Sequence, residues 1–306
     1  MPQTLPQPLR GIVPPMATPL TGRDTLDLSS LERLVERLIA ARVSGLFVLG
    51  TTGEAPGLSL RMRAEIVERV CSITAGRVPV LVSVTDTSAA ETLNAARHAA
   101  QVGASGLVLA PPYYFTLSQP ELLGYLRRIS PDLPLPVYLY NIPSLTKTHF
   151  TPETVAEAAE LPNVYGLKDS SGDMAYFAQV ARVLAQRPDF TLLCGPEELL
   201  AESIALGGHG GIAGGSNLAP ELYVGLYEAA LNHETERIHQ MQATILQISR
   251  RIYHVKPEGS SYLRGLKCAL SLLGYGRNVM AEPYEAYGPA ETAGVREALI
   301  EIGLLK

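Results

Sequence analysis

The chain is poor in the features that mark secreted, metal-binding, nucleic-acid-binding or membrane-embedded proteins. It has three cysteines in 306 residues, Cys71, Cys194 and Cys268. They are scattered and odd in number, so they make neither a disulfide framework nor a metal-ligand spacing, as expected for a reducing cytoplasm. The six histidines include no HxxxH or HxH pair. His233 and His239 fall on different faces of the helix expected there, so no protein-bound catalytic metal is expected. Net charge is −5 without a long run of either sign, which argues against nucleic acid or an anionic membrane as a partner. No stretch approaches the roughly 18 uninterrupted apolar residues of a transmembrane helix. The first ten residues carry three prolines and no apolar centre, unlike a signal peptide. There is no low-complexity segment.

What is present is a strong alternation. Hydrophobic residues make up 46% of the chain, enough for a sizeable core. Short, almost continuously apolar runs at 11–17, 45–50, 79–84, 106–111, 136–141, 164–169, 190–195 and 210–215 read as strands buried on both faces. Amphipathic patterns at 28–42, 60–75, 89–102, 119–129, 151–159, 174–185 and 197–206 read as helices between them. Eight βα units in this length point to a (β/α)8 TIM barrel, with a doubly wound open sheet as the alternative. Local signals agree. Ser59 is placed as an N-cap, Thr151-Pro152 combines a cap with proline at the first helical position, and Gly103 and Gly207 close helices. After Pro220 only helices are expected, at 221–232, 234–253, 260–273 and 290–302. The division is therefore a barrel core over 1–220, and over 221–306 the last barrel helix with a C-terminal helical extension packed on the barrel.

Candidate chemistry lies at the C-terminal ends of the strands, where barrels place their active sites. Lys168 ends the run Val164-Tyr165-Gly166-Leu167. A lone lysine there is more often a solvated charge, but a desolvated one has a nucleophilic amine that condenses with ketones. Tyr140 ends the preceding strand and would serve as a proton shuttle. Alone it would be a core or rim aromatic. Gly50-Thr51-Thr52-Gly53-Glu54 is an ordinary turn in isolation, yet its two hydroxyls and its backbone N–H groups suit a carboxylate. An amine, a phenol and an anion cradle at one barrel mouth are the parts of a keto-acid site.

These stretches resemble the dihydrodipicolinate synthase / N-acetylneuraminate lyase family of class I, pyruvate-type aldolases. The likeness rests on Gly45-Leu-Phe-Val-Leu-Gly-Thr-Thr-Gly-Glu-Ala55, on Tyr140-Asn-Ile-Pro-Ser-Leu-Thr146, and on Gly166-Leu-Lys-Asp-Ser170 at the family's spacing. The resemblance implies a Schiff base on Lys168, a proton relay through Tyr140, and a carboxylate held by Thr51 and Thr52. It also implies that Tyr114 is lent across a dimer interface, that the assembly is a homotetramer built as a dimer of dimers, and that no cofactor is needed beyond the covalent imine. Leu145 stands where synthase members carry an arginine for a dicarboxylic aldehyde partner. An alkyl group cannot replace a bidentate cation, so the chain is similar to the lyase and keto-sugar-acid aldolase side. Met62, where the family usually has an acidic or amide residue, is expected to weaken a capping box.

For the rest of the substrate, the resemblance points to Ser170, to Glu197 and Glu198, and to Gly215 and Ser216 on later loops. Plainer readings are a helix start for the Glu pair and a simple N-cap for Ser216-Asn217. The glycines of 207–215 lack the Lys-Ser/Thr of a phosphate loop and are read as tight turns. The expected activity is reversible release of pyruvate from a 2-keto-3-deoxy sugar acid or a sialic-acid-like substrate, leaving an aldehyde. The alternatives are 4-hydroxy-tetrahydrodipicolinate synthesis, dehydration of a keto acid through the same imine, and a barrel that binds keto acids without turning them over.

Overall fold

The computed structural model describes residues 5–306, so the first four residues of the proline-rich N-terminal segment lie outside the described residues. Ten strands occur among these. They are β1 (Gly11–Ile12), β2 (Leu20–Gly22), β3 (Thr25–Leu26), β4 (Leu46–Val48), β5 (Val80–Ser83), β6 (Gly106–Leu109), β7 (Val137–Asn141), β8 (Val164–Asp169), β9 (Thr191–Cys194) and β10 (Gly210–Gly211). Eight form one parallel sheet in the order β1-β10-β9-β8-β7-β6-β5-β4. The two ends of that order approach each other through a bridge between Pro15 and Phe47. There Phe47 N–H donates to Pro14 O (2.9 Å) and Met16 N–H donates to Phe47 O (2.8 Å). This is an α/β fold consistent with a (β/α)8 barrel carrying C-terminal helices.

Two layers of core follow from the period-2 geometry of a strand. Phe47, Leu81, Val108, Tyr138, Tyr140, Leu193 and Ile212 belong to one buried cluster on the inner face. Val48, Val82, Leu107, Val137, Leu139 and Leu167 belong to a larger cluster shared with the helices. The inner space is tightly filled. A Cβ at Gly166 would come within 2.3 Å of the Tyr138 ring, so only glycine lets β8 pass that ring two residues before Lys168.

Most expected elements stand within a residue or two of their places; the exceptions have local causes. The strand expected over 11–17 stops at Ile12, because Pro14 and Pro15 have no N–H to give to a ladder. The run 210–215 is a strand for two residues only, and Gly214–Asn217 is a 3-10 turn. Residues 197–206 divide into a 3-10 turn, Glu197–Leu199, and a short helix, Leu200–Ala205. The helix expected over 234–253 runs Thr235–Ile248 and then loosens into a π-helical turn, Ser249–Tyr253. The antiparallel hairpin β2–β3 was not anticipated, since its strands are too short for a periodic signal. Ser59 is the N-cap expected, accepting from Met62 N–H. Met62 itself is fully buried, so an apolar residue there serves the core.

The C-terminal helices, chiefly Ser261–Leu272 and Pro289–Ile302, are wired into the strand ends. Lys267 Nζ donates to Glu54 Oε1 at 2.5 Å with both side chains buried, and Ala281 N–H donates to Glu54 Oε2 at 2.9 Å. Burial lowers the affinity of Lys267 for its proton, and the Glu54 charge only partly offsets this. Removing one member of such a pair strands the other charge in the interior, at a typical cost of about 3–5 kcal/mol. Lys267→Met should therefore lower the unfolding free energy by about that amount in urea titration. The double variant Glu54→Gln/Lys267→Met should recover most of the loss, because the glutamine still accepts from Ala281. Equal stabilities of the parent and the Lys267 single variant would refute this account.

Candidate active site

β7 and β8 lie side by side, with Tyr140 opposite Lys168 and Asn141 opposite Asp169. Alternation turns the first pair inward and the second outward. On the outer side, Asn141 Nδ2 donates to Asp169 Oδ1 (2.8 Å) and Phe150 N–H donates to Asn141 Oδ1 (3.1 Å). Asp169 also accepts from the N–H and hydroxyl of Ser171. This buried network pins the two strands in register where it matters for the inner pair.

On the inner side, Lys168 is 4% exposed. Its Nζ lies 3.9 Å from the centroid of the Tyr140 ring and 5.1 Å from that of Phe47. The amine is thus held against aromatic faces instead of reaching into water. The Tyr140 hydroxyl stands 3.5 Å from Thr51 Oγ1. Burial alone would push this phenol up. The Lys168 charge and hydrogen bonding with Thr51, Lys168 and Ser170 outweigh burial and draw it below the ordinary phenol range.

The Gly50–Glu54 turn is entered and left through left-handed residues, Leu49 (φ 60°) and Glu54 (φ 56°). Neither is glycine, so both conformations carry strain that the surroundings must maintain. The ion pair to Lys267 holds Glu54. Within the turn, Gly53 N–H donates to Gly50 O and Glu54 N–H to Thr51 O. Among the described residues, no acceptor takes the N–H of Thr51 or Thr52. Two unengaged amides in a tight turn form a cradle for an anion. Thr51 and Tyr140 open onto a cavity of about 400 Å³, whose rim includes Tyr113, Leu145, Tyr262 and Tyr284. Leu145 is 53% exposed at that rim.

The remaining expected residues are placed elsewhere. Glu197 turns inward, and its carboxylate accepts from Gly215 N–H (2.7 Å), Tyr223 Oη (2.5 Å) and Tyr253 Oη (3.1 Å). Burial raises it to about 7 against these donors. It braces the loop after β10, with both carboxylate oxygens engaged. Glu198 is half-buried, and its backbone carbonyl accepts from Gln242. Gly215 packs its Cα under the Tyr223 hydroxyl, with no room for a side chain. Ser216 is fully buried and its hydroxyl donates to Ala213 O. Asn217 is locked between Pro15 O, Gly214 O and Ala17 N–H. None of these five positions lines the cavity onto which Thr51 and Tyr140 open. Tyr114 is 74% exposed, stacked edge-on against Phe115 in a separate surface groove. Sequence reasoning missed Tyr262 and Tyr284, which lie in helix or loop stretches without a motif, and Tyr113, the chain neighbour of Tyr114.

A buried amine beside a polarised phenol and an anion cradle is the apparatus of an enzyme that activates keto acids. Comparison with known proteins gives the class: the chain is a class I pyruvate-dependent lyase or aldolase, and it belongs to the dihydrodipicolinate synthetase family, whose model matches residues 8–300. A solved structure described as dihydrodipicolinate synthase from Bacteroides thetaiotaomicron is 49% identical, with a TM-score of 0.94 over 96% of this chain and 99% of that one. YagE from Escherichia coli K12, described as a prophage protein of the dihydrodipicolinic acid synthase family in complex with pyruvate, is 32% identical, with a TM-score of 0.90 over 96% and 99%. A third relative, "Probable 2-dehydro-3-deoxy-D-pentonate aldolase YjhH" of E. coli K12, is 35% identical over 78% of this chain and 80% of its own length. Among the described residues, no helix is long and apolar enough to cross a membrane.

Proposed function

We propose that this chain is a Schiff-base aldolase in a closed (β/α)8 barrel, releasing pyruvate reversibly from a 2-keto-3-deoxy sugar acid. The observation that carries the reading is the buried Lys168 amine against Tyr140, with Tyr140 in turn against Thr51. The Lys168 amine adds to the C2 carbonyl, and loss of water gives an iminium. Tyr140 supplies the proton that leaves with the oxygen. The phenolate then takes the proton of the C4 hydroxyl as the C3–C4 bond breaks. The aldehyde departs and the electron pair stays as an enamine, not as a bare carbanion. Protonation at C3 and hydrolysis release pyruvate and regenerate the amine. Thr51 and Thr52 clamp the carboxylate and fix the carbonyl for attack. The scheme invokes no metal or organic cofactor. A partner subunit's copy of Tyr114 would complete the relay in a dimer of dimers.

The second reading, 4-hydroxy-tetrahydrodipicolinate synthesis, is favoured by the 49% identity to a chain described as a synthase. Leu145 weighs against it, since this exposed rim residue offers no cation to a second carboxylate. Borohydride reduction in the presence of pyruvate should leave a pyruvate-derived adduct on Lys168 by peptide mass. A panel of keto-sugar acids should release pyruvate faster than aspartate semialdehyde consumes it. The reverse ranking would give the site to the synthase reaction.

A further inference from the structure

We propose that Tyr262, from the C-terminal helix Ser261–Leu272, is a positioning residue for the keto acid, directing the Thr52 hydroxyl toward the substrate carboxylate. The inference rests on the reading of Thr51 and Thr52 as the carboxylate clamp and adds a fourth element of the chain to it. Tyr262 Oη lies 2.9 Å from Thr52 Oγ1, and this is its one polar partner among the described residues. The ring reaches the same cavity as Tyr140 and Thr51.

The ring's place is fixed on two sides. It stands edge-on against Tyr253, centroids 4.9 Å apart and planes at 81°. Its tip rests on Gly214, where a Cβ would come within 1.8 Å of the hydroxyl. Tyr253 is tied in turn to the Glu197 carboxylate. The phenol therefore addresses Thr52 from a fixed direction, and a side chain at 214 would displace it.

Direction of donation follows from the surroundings. Burial, with the nearby Glu197 charge, raises the Tyr262 phenol far above its ordinary range, so it keeps its proton. No other acceptor is in reach among the described residues, so Tyr262 is taken as the donor and Thr52 Oγ1 as the acceptor. A hydroxyl has one proton of its own to give. With one lone pair taken by Tyr262, the Thr52 proton is free to point to an anion held by the adjacent amides. Donation into Thr52 also polarises that proton, so the two bonds reinforce each other.

The test is borohydride trapping of pyruvate on Lys168 as a function of pyruvate concentration, in parallel with hydroxyacetone, which has the ketone but no carboxylate. In Tyr262→Phe the half-saturating pyruvate concentration should rise about tenfold, roughly one hydrogen bond to an anion. Trapping of hydroxyacetone should change by less than about twofold, and the limiting rate with pyruvate much less than its half-saturation. Thr52→Val should show the same selectivity for the carboxylate, and adding Tyr262→Phe to it should cost nothing further. Equal losses for both ketones, or losses that multiply in the double variant, would overturn the positioning role. If the phenylalanine variant fails to fold, Thr52→Val alone decides: a loss shared by hydroxyacetone rejects the proposal. Failure of the parent enzyme to trap pyruvate on Lys168 would instead reject the Schiff-base reading on which this one stands.

Discussion

Lys168→Ala should abolish covalent trapping of pyruvate and lower turnover by at least about 10⁴-fold, the order seen when a covalent nucleophile is deleted. The expectation follows from the absence of a substitute. The other buried lysine, Lys267, is engaged with Glu54. The fold should survive, because among the described residues Lys168 makes no ion pair whose partner would be stranded. Removing a buried amine over two aromatic rings relieves desolvation as much as it loses contact. The variant should therefore stay folded, with a melting temperature close to the parent's. Retained turnover in a well-folded Ala variant would mean that another group is the nucleophile. An unfolded variant would mean that Lys168 is structural.

Tyr140→Phe should lower kcat by about 10²–10⁴-fold, the usual worth of a positioned general acid–base group, with a smaller change in KM. The ring that screens Lys168 remains, and only the hydroxyl beside Thr51 is lost. The pH profile supplies a second check. The phenol is held below its ordinary range chiefly because the Lys168 charge and the hydrogen bonds to Thr51, Lys168 and Ser170 overcome the effect of burial. A lowered phenol loses its proton earlier as pH rises, and the step that donates to the departing oxygen then fails. The parent enzyme should show an alkaline decline beginning below the ordinary phenol range, and the Phe variant should lack it. An identical alkaline limb in both would assign that limb to another group.

The Lys168, Tyr140 and Thr51-Thr52 set was legible in the sequence because each ends an apolar run, and strand ends of a βα alternation share one side. Strand parity, visible only once the structure shows Tyr138 and Gly166 facing inward, accounts for the rest, since Tyr140 and Lys168 each stand an even number of residues from them. The buried placement of Glu197 and Ser216 was not legible in the sequence for a physical reason. A loop position fixes which side of the barrel a residue occupies, but not whether its side chain faces the cavity or its own backbone. Glu197 found three donors, one in the loop after β10 and two on tyrosines from distant helical segments, and no local pattern encodes those partners. Tyr262 went unnoticed for the converse reason. It sits in an unremarkable amphipathic helix, and only tertiary packing carries it 210 positions back along the chain to Thr52. The short helix Pro143–Thr146 shows the same limit, because four residues give no periodicity.

The bond between Glu54 and Lys267 has a consequence for how this protein can be taken apart. The strands alone hold the amine and the phenol, which invites the view that the last eighty residues are an appendage to be trimmed, swapped or fused. Yet the turn proposed to grip the acid group leaves its strand through a disfavoured backbone twist, and the far end of that turn is moored to a helix encoded more than two hundred residues later. Shortened versions would keep the reactive centre while the grip beside it slackened. Grafting experiments between relatives should accordingly exchange Glu54, Tyr262 and Lys267 as one inherited unit.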